Sequence, residues 1–315
     1  MNTISIVADE TLTSPVRLDV YAASLPEGIS RSRLKNGLKS LKVNGMPAKL
    51  SKQIKAGDLI EIEWENTVTD TIEPRNIPLD ILYEDKRVIV VNKKQGMVVH
   101  PAAGNWDNTL VNALFFYLGK SVEKTESLEQ MRPGIVHRLD KDTSGTIITA
   151  KDKDAEIWLQ NQFQKRRVKK EYIAIVTGKP PKSRGSIKTG LTRDSRNRKK
   201  FAWCDVDKGK FAHTIFQCVC TYGNYSLMRL KLKTGRTHQI RVHMKYLGCP
   251  ILGDPVYGKK DKLFSTATLM LHARKLGIRL PDSEEFVVFE SQIPERFKKV
   301  MHVLHKTYDR EKWHL

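Results

Sequence analysis

Between Gly134 and Gly145 the sequence GIVHRLDKDTSG gathers His137, Arg138, Asp140 and Asp142, with Val136 and Leu139 alternating among them. A carboxylate flanked by cations can serve as a nucleophile or a base, and a neighbouring arginine can bind phosphate or stack on a ring. Thr143, Ser144 and Gly145 supply short polar side chains and a permissive backbone that can pin such a loop. A charged turn between two strands is the plainer account of the same residues. Other chemistries fail on spacing. Gly119-Lys120-Ser121 looks like the end of a phosphate-binding loop, but the glycine required five residues earlier is Leu114. His238 and His243 would lie about 140° apart on a helix, so they do not share a metal ion. There is no HExxH, no GxSxG and no zinc-deaminase pattern. No metal, nucleotide or other cofactor is expected.

The elements that must hold these residues can be read from periodicity and turn chemistry. RLDVYAASL from Arg17 reads as a helix, and a second helix is expected from Ser30 as N-cap, with basic residues at 31, 35, 39 and 42 on one face. LKVNGMPAKL then reads as short strands around an Asn44-Gly45 hairpin turn, followed by the strand GDLIEIEW. Polar residues with Pro74 and Pro78 suggest a linker. Beyond it, ILYEDKRVIVVNKKQG reads as two strands about Glu84-Asp85, and LVNALFFYL as a buried helix capped near Asp107 or Asn108. Strands recur at GTIITA, EYIAIV, HTIFQCVC, YSLMRLKL and EFVVFE. Irregular interruption by helices favours an α+β fold, with a mixed, mainly antiparallel sheet flanked by helices. The expected domains are 1–66, a linker at 67–78, and 79–315.

Composition narrows the partner. The 315 residues carry 55 Lys and Arg against 35 Asp and Glu, a net charge of +20, while 40% hydrophobic and 29% charged residues are ordinary globular values. Arg31 to Lys55 contains eight basic residues and no acidic one; Lys165 to Lys200 contains fourteen against Glu171 and Asp194. A solvated face is the bland explanation, but missing counter-charge over 25 residues favours a polyanion. The latter part of the second run, RGSIKTGLTRDSRNRKKFA, could be a mobile arm. No run of apolar residues is long enough to span a membrane, and Asp9 and Glu10 stand where an export signal needs an apolar stretch. Four cysteines at 204, 218, 220 and 249 make no metal-like pair. A cytoplasmic protein, monomeric and with reduced thiols, is expected.

HRLDKDTSG at 137–145 resembles the signature of the RluA-type pseudouridine synthases. GMVVHPAAGNWDNTLVNAL at 96–114, KKEYIAIVTG at 169–178, LKTGRTHQIRVHMKYLGCPILGDPVYG at 232–258 and LMLHARKLGI at 269–278 are similar to further blocks of that family, in order. Residues 17–64 resemble an S4 RNA-binding domain. The resemblance implies isomerisation of uridine within RNA: the ribose C1′–N1 bond breaks, the uracil rotates, and C1′ bonds to C5, with no cofactor. It implies Asp140 as the essential carboxylate, either attacking C1′ or removing a proton from C2′, and Arg241 as its ion-pair partner. It implies Tyr172 stacked on the uracil and Arg138 filling the space of an extruded base. Large-subunit ribosomal RNA is the expected target, with transfer RNA as the alternative; Arg31, Arg33, Lys35 and Lys39 are expected RNA contacts. A ribosome-assembly protein with a dead synthase domain and an RNA glycosylase are the rivals. On periodicity alone Tyr172 would be a core residue and Arg241 a surface residue off the stripe Ile240, Met244, Leu247 of a helix capped by Thr237 and stopped by Gly248.

Overall fold

The computed structural model describes residues 2–25, 34, 37–65, 72–101, 105, 107–119, 134–283 and 285–312. The chain divides into two compact units, Met1–Thr71 and Ile72–Leu315.

In the first unit, β1 (Asn2–Val7), β6 (Leu59–Trp64), β3 (Leu38–Val43) and β4 (Met46–Pro47) form a sheet in that order, while β2 (Val16–Arg17) pairs with β5 (Gln53–Ile54). Helix α1 (Leu18–Ser24) contributes Leu18 and Ala22 to a core with Ile54, Ile60 and Ile62. Asn44 and Gly45 both take positive φ, 54° and 74°, and join β3 to β4 as expected. The basic helix face does not extend to Lys39 and Lys42. Both lie on β3, whose Leu41 and Val43 alternate inward against Ile62 and Ile60; a period of two places Lys42 outward, and Lys39 is exposed at the register shift between Leu38 and Ser40. Lys39 pairs with Glu65 at 2.8 Å. Arg31, Arg33 and Lys35 lie outside the described residues.

The second unit is built on one large sheet. Its strands are β7 (Ile81–Glu84), β8 (Val88–Lys93), β9 (Ser144–Ala150), β10 (Lys169–Thr177), β11 (Arg184–Arg193), β12 (Phe201–Cys204), β13 (Lys210–Tyr222), β14 (Tyr225–Leu232), β15 (Leu271–Arg279), β16 (Phe286–Glu290) and β17 (Arg310–Lys312). The order is β12-β11-β13-β14-β10-β15-β9-β8-β7, with β16 on β15 and β17 on β13. The β9–β15 pairing is parallel and the others antiparallel. This is the expected mixed sheet of an α+β fold. Strands β8 and β9 sit between two cores: Ile89, Val91 and Ile147 face one, Val88, Val90 and Ile148 the other. That is why their sequences are continuously apolar. Residues 184–202, read as a candidate mobile arm, instead form β11 and the start of β12, paired at the sheet's edge, with the turn that joins them.

Helices α2 (Leu110–Tyr117), α3 (Lys153–Gln164), α4 (Gln239–Tyr246) and α5 (Glu295–Thr307) complete the unit. The cap of α2 is Thr109, in a reciprocal capping box with Asn112, and not Asp107 or Asn108. Ile72 packs with Val111 and Phe115, and Asn112 donates to the Glu73 carbonyl at 2.8 Å, so residues from the middle of the expected linker belong to this unit. Among the described residues no helix is long and apolar enough to cross a membrane.

Candidate active site

The loop carrying Asp140 is held at both ends by close backbone approach. At Gly134 (φ +61°) a Cβ would fall 1.9 Å from the Ala150 carbonyl oxygen; at Gly145 (φ +121°) it would fall 2.2 Å from that of Ala273. Both glycines are therefore steric requirements. Between them, Gln95 donates to the Asp142 carbonyl at 2.9 Å and Gly96 N–H to that of Lys141 at 2.9 Å. Thr143 N–H closes the turn on the Asp140 carbonyl at 3.1 Å.

Beneath the turn lies Lys93, 1% exposed, whose Nζ donates to the carbonyls of Lys94, Met97 and Lys141 at 3.0, 2.8 and 3.1 Å. Three acceptors match the three N–H bonds of an ammonium. Burial pushes Lys93 down to about 7, opposed by the charges of Asp140 and Asp142. Nothing in the sequence singles Lys93 out from Lys94; only its last place on the buried strand β8 does.

A second support runs behind Ser144. Arg296 Nη2 donates to Ser144 Oγ at 2.6 Å, Ser144 Oγ meets His272 Nδ1 at 2.9 Å, and His272 Nε2 meets Ser291 Oγ at 2.9 Å. Ser291 donates its hydroxyl to the Ala273 carbonyl at 3.2 Å and so accepts from His272 Nε2–H, which leaves Nδ1 of the neutral ring to accept from Ser144. Burial lowers His272 to about 4, consistent with this neutral tautomer.

Strand β15 makes the site converge. Its Ala273 pairs with Gly145 of β9 on one side and with Tyr172 of β10 on the other, where the register shifts between Glu171 and Tyr172. Tyr172, 8% exposed, faces the same cavity as Asp140; burial and the charge of Asp140 both raise its pKa, so it stands as a neutral phenol.

Arg241 enters from α4. The helix starts later than Thr237 predicts: His238 occupies the cap with φ +56° and no capping side chain. Arg241 is 3% exposed. Its closest partner is Asp254, not Asp140: Nε and Nη2 meet the two Asp254 oxygens at 2.8 and 2.7 Å, while Nη1 stands 3.7 Å from Asp140 Oδ2. Asp254 also accepts from the N–H groups of Val256 and Tyr257. Burial pushes Asp254 up, but Arg241 and those N–H groups outweigh it and its pKa is lowered. The Tyr257 ring lies 5.2 Å under the guanidinium, and its hydroxyl meets His238 Nδ1 at 2.9 Å. His238 Nε2 is 3.9 Å from Asp140, beyond hydrogen-bond reach, and burial depresses it, so it is neutral near pH 7.

His137 and His243 serve structure. His137 Nε2 accepts from Ile148 N–H at 3.0 Å and its ring stacks on Phe163, burial lowering it to about 3. His243 bridges Thr189 and Thr214. No metal-ligand cluster occurs among the described residues.

Asp140, Tyr172, Arg241 and Arg138 thus line one cavity of about 1160 Å³. Lys39 belongs to the first unit. The residues sequence reasoning missed are Asp254 and Lys93. The arrangement offers one carboxylate with a fixed cation standing off it, a neutral phenol, an exposed arginine at the rim, and room for a nucleotide.

Comparison with known proteins shows the family. A sequence model described as RNA pseudouridylate synthase matches residues 87–246. A protein of Borreliella burgdorferi named ribosomal large subunit pseudouridine synthase D is 46% identical over 90% of this chain and 87% of its own length. One of the same name from Zymomonas mobilis is 40% identical over 91% of this chain and 93% of its own. Among solved structures, human RNA pseudouridylate synthase domain containing 4 is 27% identical with a TM-score of 0.55, covering 72% of this chain and 93% of that one.

Proposed function

Because this chain belongs to the RNA pseudouridylate synthase family and is an RNA-isomerising enzyme, we propose that Asp140 is the carboxylate that opens the glycosidic bond of a uridine in large-subunit ribosomal RNA. The observation that carries this reading is the convergence of Asp140, Arg241 and Tyr172 in one cavity. A uracil flipped into that space lies against Tyr172 with its ribose at Asp140. Two routes are open: the Asp140 oxygen attacks C1′ as N1 departs, or it takes the C2′ proton and N1 leaves to give a glycal. In both the uracil stays in the cavity and turns; C5 bonds to C1′ as the C1′–O bond to Asp140 breaks, or as Asp140 returns its proton to C2′, and C5 then sheds its proton beside Tyr172 while N1 takes one up. Arg241, fixed by Asp254, balances the carboxylate, and Arg138 takes the space the base has left. No atom is gained or lost, so closure against water matters more than a second carboxylate.

The ribosomal target is supported by the names of the relatives, and an RNA role for the first unit by its basic run 31–55, which fits an S4-type module. The test uses RNA tritiated at uracil C5. Wild type releases label from ribosomal RNA and Asp140→Asn does not, while RNA binding persists. Release of free uracil would instead identify a glycosylase, release from transfer RNA alone would move the target, and no release from any cellular RNA would favour a binding protein. A primary isotope effect from deuterium at C2′ selects the glycal route.

A further inference from the structure

Among the cations lining the active-site cavity, Arg138, Arg166, Arg167 and Lys233 have no carboxylate partner among the described residues but are exposed, whereas Lys170 lacks one while half-buried. Lys231 faces Glu171 at 3.9 Å, Lys275 pairs with Glu290 at 2.8 Å, and Arg241 is held by Asp254. Lys169 lies over the Phe286 ring, 4.7 Å from its centroid. Lys170, half-buried on β10, has neither a carboxylate nor a hydrogen-bond partner among the described residues; the Phe163 ring centroid lies 6.0 Å from its Nζ. Desolvation lowers its pKa with no anion to oppose it. Its ammonium stands 3.2 Å from where a Cβ at Gly235 would be, so the glycine leaves the approach to Nζ open. A desolvated ammonium without an anion is costly, and the cost is recovered only when a ligand supplies one.

The position of Lys170 indicates which anion. Lys170 and Tyr172 are two residues apart on one strand and lie opposite Leu232 and Leu230 on β14, so both side chains leave the same face about 7 Å apart. A nucleotide with its base against Tyr172 carries a phosphodiester group at that range. We propose that Lys170 binds the backbone phosphate adjoining the target uridine, a contact that fixes the register of the RNA strand in the site. This rests on the uridine-isomerising reading above, because Tyr172 marks the base position.

The test uses the full-length protein with a short substrate RNA in which one phosphate beside the uridine, on the 5′ or the 3′ side, is replaced by a neutral methylphosphonate. Lys170→Met is expected to raise KM about tenfold with kcat within twofold, and to reduce the salt slope of log Kd by about 0.7, one counterion on a single strand. Lys170→Arg keeps the wild-type slope. One of the two neutral linkages weakens wild type about tenfold yet leaves Lys170→Met unchanged. If neither linkage affects wild type, or if both proteins respond equally, the phosphate contact is wrong, and a Lys170→Met protein that fails to fold leaves the wild-type comparison to decide. A wild type that binds with these dependences but releases no tritium would overturn the catalytic reading and leave the contact standing.

Discussion

Asp254 holds Arg241 away from Asp140, and this can be tested by removing one charge. Asp254→Asn keeps the shape and one acceptor oxygen for the N–H groups of Val256 and Tyr257. It removes the carboxylate that grips Nε and Nη2. Arg241 then has Asp140 as its one anionic neighbour and closes the 3.7 Å gap. With an effective dielectric of about 20, attraction at that distance is about 4.5 kcal/mol, and at about 2.8 Å it is about 5.9 kcal/mol. The gain of about 1.4 kcal/mol stabilises the resting carboxylate against its encounter with ribose, so the chemical step slows about tenfold. Single-turnover tritium release with enzyme in excess measures this directly, and filter binding checks that RNA affinity is unchanged. Loss of the charge-assisted bonds costs stability of about 2 kcal/mol, which urea unfolding reads. A folded Asp254→Asn enzyme reacting at the wild-type rate, or faster, refutes the stand-off.

Gly145→Ala should lose about 3 kcal/mol or more, since its Cβ meets the Ala273 backbone and its φ is +121°; a urea midpoint equal to wild type would contradict the tight β9–β15 approach. Lys93 titrates near 7 in the folded state against 10.5 unfolded, so between those values the unfolded chain holds the extra proton and folding is favoured as pH rises. The stability of wild type relative to Lys93→Met should therefore climb from pH 7 to 10 and be level below 7; a difference independent of pH removes the buried-lysine argument. Ser144→Ala breaks the chain from Arg296 to His272 and should lower kcat while KM stays put; an increase in KM alone would mean that the chain does not position Asp140.

Local sequence carried much of this. Asn44-Gly45 specified its hairpin, the glycines at 134 and 145 marked the ends of the reactive loop, and the apolar run of β8 marked a strand covered on both faces. What failed was long range or ambiguous in period. Basic residues at 35, 39 and 42 fit a helical face, yet Leu41 and Val43 needed Ile62 and Ile60 beside them, and the sheet prevailed. Arg241 could be assigned to a helix, but no helical phase reveals that Asp254, beyond that helix, would outcompete Asp140 for its fork. Lys93 looked like any lysine at a strand end because its three acceptors come from a turn that begins 47 residues later, at Asp140, and from the residues that follow it.

The hydrogen-bonded chain behind Ser144 has a consequence for biosynthesis. Asp140, Tyr172 and Arg241 have all been translated before His272, Ser291 and Arg296 are made. A nascent polypeptide stopped at residue 270 therefore holds every reacting group but lacks β15, the strand that aligns Tyr172 with the loop, and the arginine that braces it. Competence is conferred only by what is translated after residue 270, so a chain stopped there is not expected to act on the RNA around it.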